Sequence, residues 1–141
     1  MNISTAESCT GGYIAHRITS VSGSSDYFTG SVIAYSNRIK EDVLKVDHES
    51  IEKLGAVSEE VAIAMAKGIK KEFGTDCSIA VTGIAGPDGG TDENPVGTVW
   101  IAVAVKENII AKKFLFGDNR ERNIIRASIT ALNMMRKELM M

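Results

Sequence analysis

Two short segments of this chain gather the residue types that acyl-transfer chemistry needs. One is Ser8-Cys9-Thr10-Gly11-Gly12; the other is Thr82-Gly83-Ile84-Ala85-Gly86-Pro87-Asp88-Gly89-Gly90-Thr91. Glycine lets backbone N–H groups approach an anion or a developing oxyanion with no Cβ in the way. A glycine-rich turn also serves simply to reverse the chain, so neither segment alone specifies a function. Ser8 falls where a strand pattern ends and a helical one begins. A hydroxyl there can face a cleft as a nucleophile, with the N–H groups of Thr10, Gly11 or Gly12 as oxyanion donors. It can equally cap the helix. The GxSxG pattern of a nucleophile elbow is absent.

A serine nucleophile needs a base. His16 and His48 are the only histidines, and both stand in polar surroundings, so a Ser-His-Asp triad is not expected. Lysine is the other choice, because burial disfavours its charged form and leaves an amine able to accept a proton. Lys40 follows the second predicted strand and can lie beside the end of the first; the alternative is an ordinary solvated lysine. Tyr35 and Ser36, at the carboxyl end of that second strand, can reach the same cleft. Cys9 is a possible nucleophile too, although a buried thiol more commonly packs as a small apolar group.

The elements that must position these side chains follow from periodicity. Ile3 to Glu7 reads as a strand, Tyr13 to Val21 as a helix with Ile14 and Ile18 on one face, and Phe28 to Tyr35 as a second strand. Asn37 is placed to cap a short helix carrying Ile39, Lys40, Val43 and Leu44. Another short helix spans Asp47 to Leu54 and closes at Gly55. Ser58 caps a longer one whose Val61, Met65, Ile69 and Phe73 recur every four residues, with Gly74 at its end. Ser78 to Val81 is the third strand, ahead of the second glycine-rich segment. Thr98 to Val105 and Ile109 to Phe116 form an antiparallel hairpin about Lys106-Glu107-Asn108, and Asp118 or Asn119 caps the last helix. This order predicts one domain over residues 1–141, a three-layer α/β/α arrangement around a mixed, mostly parallel sheet of about five strands. In such sheets ligands gather at the carboxyl ends of the strands, where both glycine-rich segments fall.

Composition narrows the function classes. A net charge of -2 and the lack of a basic stripe argue against nucleic acid as a partner. The apolar runs are strand-sized, so no membrane span is expected. The N-terminus lacks the regions of a signal peptide, and Cys9 and Cys77 show neither disulfide density nor metal-ligand spacing. A cytoplasmic protein without metal or cofactor is the resulting expectation. An uncovered sheet face or apolar helix flank would need burial, which points to a homo-oligomer, a dimer being favoured.

Ala6-Glu7-Ser8-Cys9-Thr10-Gly11-Gly12 resembles the signature of the C-terminal domain of competence/damage-inducible protein CinA. That family includes nicotinamide mononucleotide (NMN) deamidases. Further blocks agree in order: Tyr35-Ser36-Asn37 with Lys40, Gly55-Ala56-Val57-Ser58-Glu59, Thr82 to Pro87 with Gly89-Gly90, and Pro95-Val96-Gly97-Thr98-Val99. The resemblance implies hydrolysis of the NMN amide to the mononucleotide acid and ammonia. It places a serine nucleophile at Ser8, a lysine base at Lys40 and a nearby tyrosine at Tyr35; a mechanism on these residues has Lys40 deprotonate Ser8 and Tyr35 help relay a proton to the leaving group. It also implies a pocket lined by Thr10, Gly11, Gly12, Thr82, Gly83, Ala85 and Gly86, with Arg120 as the cation for the phosphate. Ile124 stands where a further arginine is expected, between Arg122 and Arg126. A non-catalytic nucleotide-binding or regulatory module is the alternative, with Ser8 merely donating a hydrogen bond. A scaffold for DNA uptake or repair is a third reading, supported only by the family's name.

Overall fold

The computed structural model describes all 141 residues. A five-stranded mixed sheet in the order β2-β1-β3-β4-β5 forms its middle layer. The strands are β1 (Ile3–Glu7), β2 (Phe28–Ile33), β3 (Cys77–Gly83), β4 (Thr98–Val105) and β5 (Asn108–Leu115). β1 pairs in parallel with both β2 and β3, while β4 runs antiparallel to β3 and to β5. Four strands therefore share one direction and β4 opposes them, the mixed sheet that the sequence predicts.

Alternation along the strands sorts the core into two halves. Ile79, Val81, Val99, Ile101 and Val103 face α1 (Tyr13–Thr19) and α5 (Arg120–Leu139), meeting Ile14, Ile18, Ala127, Ala131, Met134 and Met135. The other face carries small residues, Ala6, Ala80 and Ala102. They admit α4 (Glu59–Phe73) through Val61, Met65, Ala66 and Ile69. Two short helices, α2 (Asn37–Asp42) and α3 (His48–Leu54), complete that layer with Leu44, Val46 and Ile51.

Most caps stand where the sequence puts them: Asp47 on α3, Ser58 on α4 with Gly74 left-handed at its end, and Asn119 on α5. Two boundaries differ. Ser36, not Asn37, caps α2, its Oγ accepting the Ile39 N–H at 3.3 Å. Both residues are good caps, and the choice falls to whichever has extended backbone; Ser36 does, at φ -92° and ψ 154°. β2 ends at Ile33, so Tyr35 lies just past the strand in the connection to α2.

Parallel pairing of β1, β2 and β3 brings their carboxyl ends to one edge of the sheet. The chain leaves that edge at Ser8, at Ala34 and after Gly83. α5 starts at the same edge, because β5 runs in the direction of those three strands. No helix is long and apolar enough to cross a membrane.

Candidate active site

Ser8 sits one residue beyond β1 and is held by an extension of the ladder. Its N–H donates to the Val81 carbonyl at 3.1 Å, and the Ala34 N–H donates to the Glu7 carbonyl at 2.7 Å. These bonds set Ser8 and Ala34 side by side at the sheet edge. α2 then delivers Lys40 over both. Lys40 Nζ donates to Ser8 Oγ at 3.1 Å and to the Ala34 carbonyl at 2.9 Å, with a longer contact of 3.5 Å to the Tyr35 carbonyl.

Lys40 is only 2% exposed, so it is not a solvated surface lysine. No carboxylate lies in ion-pair range of it. Burial therefore pushes its ammonium down from the ordinary lysine value, outweighing an opposing contribution from the neighbouring Cys9. Once Nζ loses its proton, two N–H groups stay with the carbonyls and the lone pair faces Ser8 Oγ. The same contact then runs in reverse, with the hydroxyl donating to the amine.

Ser8 does not cap α1. The N-cap position belongs to Gly12, which has no side chain to offer. Glu7 supplies the acceptor instead: its fully buried carboxylate takes the N–H groups of Ile14 and Ala15, each at 2.9 Å, and the Thr10 hydroxyl at 2.7 Å. Thr5 and Ser31 add longer contacts at 3.4 and 3.5 Å. The turn between is possible because Gly11 (φ +59°) and Gly12 (φ +100°) take left-handed backbone. Sequence reasoning assigned Glu7 no role. The signal was a pair of glycines at the helix start, which leaves the first-turn N–H groups needing an acceptor from elsewhere.

The same turn selects among the proposed oxyanion donors. The Gly11 N–H already donates to the Ser8 carbonyl at 3.0 Å and is not free. The amides of Thr10 and Gly12 donate to no backbone carbonyl. They border a cleft of about 670 Å³ whose other walls include Tyr13, His16, Arg120 and Ile124. Ser8, 7% exposed, is not one of its lining residues and adjoins it through Thr10, two positions along the chain. Arg122 and Arg126 do not line this cleft, so Arg120 is its arginine.

Cys9, next to Ser8, faces the core below the turn, and burial pushes its thiol up to about 12. It is a packing residue. His16 is exposed along the cleft wall beside Tyr13, and His48 is exposed far along the chain next to Glu41. Neither histidine bonds to Ser8.

The second glycine-rich segment contributes less than its composition suggests. The Thr82 hydroxyl is 1% exposed and donates to the Ala56 carbonyl at 2.8 Å, so its proton is used inside the fold. Gly83 packs against β4; a Cβ there would stand 2.7 Å from the Thr98 carbonyl oxygen. Ala85 is core. Gly86 is buried with φ +90°, and its carbonyl accepts from Arg120 Nη1 at 2.6 Å. Asn123 on α5 fastens this loop, donating to the Ala85 and Gly117 carbonyls at 2.9 Å each. Tyr35, 60% exposed, accepts from Arg120 Nη2 at 2.9 Å through its hydroxyl, which is bonded to neither Ser8 nor Lys40. No three His, Cys, Asp or Glu side chains stand together as a metal seat.

The model of the CinA C-terminal domain matches residues 1–139. The chain belongs to that family. It is 50% identical over 137 residues to a CinA-like protein of Cytophaga hutchinsonii and 51% identical over 138 residues to one of Geotalea daltonii. The matches cover 97% and 98% of this chain but 33% of each relative. The chain thus spans about a third of the length of these relatives. Among solved structures, the competence/damage-inducible protein CihA from Agrobacterium tumefaciens superposes with a TM-score of 0.95 at 39% identity, covering 97% of this chain and 84% of that one. The competence damage-inducible protein A from Klebsiella pneumoniae gives 0.94 at 35% identity, covering 98% and 86%. The fold of these CinA-superfamily structures is therefore shared over 97% and 98% of the chain.

Proposed function

We propose that this CinA-family domain is an amidohydrolase that releases ammonia from a nucleotide-linked amide, with NMN as the substrate and Ser8 and Lys40 as its working pair. The observation that carries the reading is the buried, carboxylate-free Lys40 amine 3.1 Å from Ser8 Oγ. A structural role gives no reason to bury a lysine against a hydroxyl and two carbonyls, since desolvating an ammonium is costly. A base that must be neutral gives one.

In the proposed sequence neutral Lys40 takes the Ser8 proton as Oγ attacks the amide carbon. The developing oxyanion meets the free N–H groups of Thr10 and Gly12. Lys40 then hands its proton to the amide nitrogen, the C–N bond breaks, and ammonia leaves an ester on Ser8. Water enters, gives a proton to Lys40 and attacks the ester. The carboxylic acid departs as Ser8 regains its proton from Lys40. Each proton that Lys40 accepts is returned, and no oxidant or metal enters the balance. Arg120 faces the cleft as the cation for the phosphate, and a cleft of about 670 Å³ is of ordinary size for a ligand of this class.

Ammonia release from NMN by the purified chain, measured with Ser8→Ala and Lys40→Ala alongside, tests the reading. Release by the wild type and its loss in both variants supports it. Binding of NMN without release would instead favour a non-catalytic nucleotide module.

A further inference from the structure

Arg120, which lines the cleft, is held at two corners of its guanidinium by groups from two separate segments of the chain. Nη1 donates to the Gly86 carbonyl at 2.6 Å, and Nη2 donates to the Tyr35 hydroxyl at 2.9 Å. Gly86 is fixed in turn, because Asn123 bonds the adjoining Ala85 carbonyl. Tyr35 comes from the connection between β2 and α2, 85 residues away in the chain. Packing does not account for its position: it is 60% exposed and stacks on no other aromatic ring. Its one side-chain hydrogen bond is to Arg120.

An arginine at the start of a helix on a protein surface normally samples many rotamers, and a ligand that captures it must first overcome that freedom. Here the freedom is already removed. The two anchored nitrogens each keep a second N–H, and Nε keeps its own, in the fixed planar fork that suits a phosphate. Glu121 lines the same cleft, yet Arg120 forms no ion pair with it or with any other carboxylate. The guanidinium charge stays uncompensated and aimed.

We propose that Tyr35 is a positioning residue that presets Arg120 for the substrate phosphate, so that discrimination between phosphorylated and unphosphorylated amides resides in the Tyr35 hydroxyl as well as in Arg120. This rests on the reading of the cleft as a nucleotide-amide site. It gives Tyr35 a different task from relaying a proton, and the two tasks separate by experiment, since a relay acts on every substrate while a preset arginine acts only on one bearing phosphate.

The test is calorimetric binding of NMN and of nicotinamide riboside, its form without phosphate, to a Ser8→Ala protein that cannot turn either over. Tyr35→Phe is expected to weaken NMN binding about tenfold, the scale of one charge-assisted hydrogen bond, and to leave riboside binding unchanged. Arg120→Gln should weaken NMN binding further. Adding Tyr35→Phe to Arg120→Gln should then cost nothing more, because the tyrosine acts through the arginine. Equal weakening of both ligands, no weakening of either, or additive losses in the double variant would overturn the proposal. With Ser8 intact, Tyr35→Phe should raise KM for NMN and spare kcat on the riboside; loss of kcat on both substrates would return Tyr35 to the proton relay. Wild-type protein that binds NMN but releases no ammonia would end the hydrolase reading while leaving the binding comparison to decide this one.

Discussion

Lys40 Nζ and Ser8 Oγ stand 3.1 Å apart, and the amine reaches that hydroxyl with no carboxylate to hold its charge. The pair therefore makes its own pH prediction. Burial lowers the Lys40 pKa, and the neutral amine is the working form, so kcat/KM should rise with pH through the lowered value and fall away in acid. The window lies below that of an ordinary lysine. Stability carries the same sign: the unfolded chain holds this proton more tightly, so the cost of Lys40 is fully present below its folded pKa. That cost is relieved as pH climbs towards the unfolded value. Lys40→Arg, which cannot shed its proton at any of these pH values, should be inactive across the range. A pH-independent rate in the wild type, or turnover by the arginine variant, would contradict the assignment.

Glu7 holds the nucleophile turn together from beneath. Its buried carboxylate answers the Ile14 and Ala15 N–H groups and the Thr10 hydroxyl, and nothing else nearby replaces it. Glu7→Ala leaves those donors unsatisfied in the interior and should cost about 3 kcal/mol in urea unfolding, the scale of a broken buried charge network. Glu7→Gln keeps the shape but points an amide N–H₂ at groups that are themselves donors, so it should recover only part of the loss. A Glu7→Ala protein as stable as the wild type would show that water serves these donors equally well.

The sheet, its helices and most caps were legible because they rest on local signals: the short apolar runs of β3 and β4, the four-residue stripe of α4, and Ser58 and Gly74 at its ends. Where two good caps adjoin, as at Ser36 and Asn37, the pattern gives no basis for choosing. The Ser8–Lys40 contact was reachable only by assuming that β2 lies beside β1, since 32 residues separate them. Glu7 was not legible, because an acidic residue in a strand reads as solvent-facing until the helix that it caps folds over it. Thr82 shows the opposite failure. The family resemblance implied a place for it in the pocket, but only the position of the Ala56 carbonyl reveals where its hydroxyl proton goes.

Cys9 adjoins the nucleophile and invites confusion with it. Its thiol is pushed up to about 12 by burial, so almost no thiolate exists near neutral pH. Iodoacetamide at pH 8 should leave Cys9 unmodified in the folded protein and label it only after denaturation. Cys9→Ala should retain ammonia release from NMN, with a modest stability loss of roughly 1–2 kcal/mol for the vacated core volume. Rapid alkylation of the native protein with parallel loss of activity would make Cys9 the nucleophile and displace Ser8.

Gly12 tests whether the backbone of the turn, rather than the space around it, sets the site. Its φ is +100°, and an added Cβ would stand 3.0 Å from Ile33 Cδ1. Two costs are thus possible in Gly12→Ala: a strained dihedral and a close contact with the end of a flexible side chain. The contact is the cheaper, because Ile33 is half exposed and its terminal methyl can move. The dihedral has no such escape, and a residue forced there costs about 1–3 kcal/mol or drags the turn towards a different conformation. Movement of the turn would shift the Thr10 and Gly12 amides and the Ser8 hydroxyl together. Gly12→Ala should therefore lose stability by that amount and lose kcat by a larger factor than KM changes. Ile33→Val deletes the Cδ1 methyl and so removes the contact without touching the dihedral. If backbone geometry governs, Gly12→Ala with Ile33→Val stays as impaired as Gly12→Ala alone; recovery of stability and turnover in the double variant would assign the effect to packing instead.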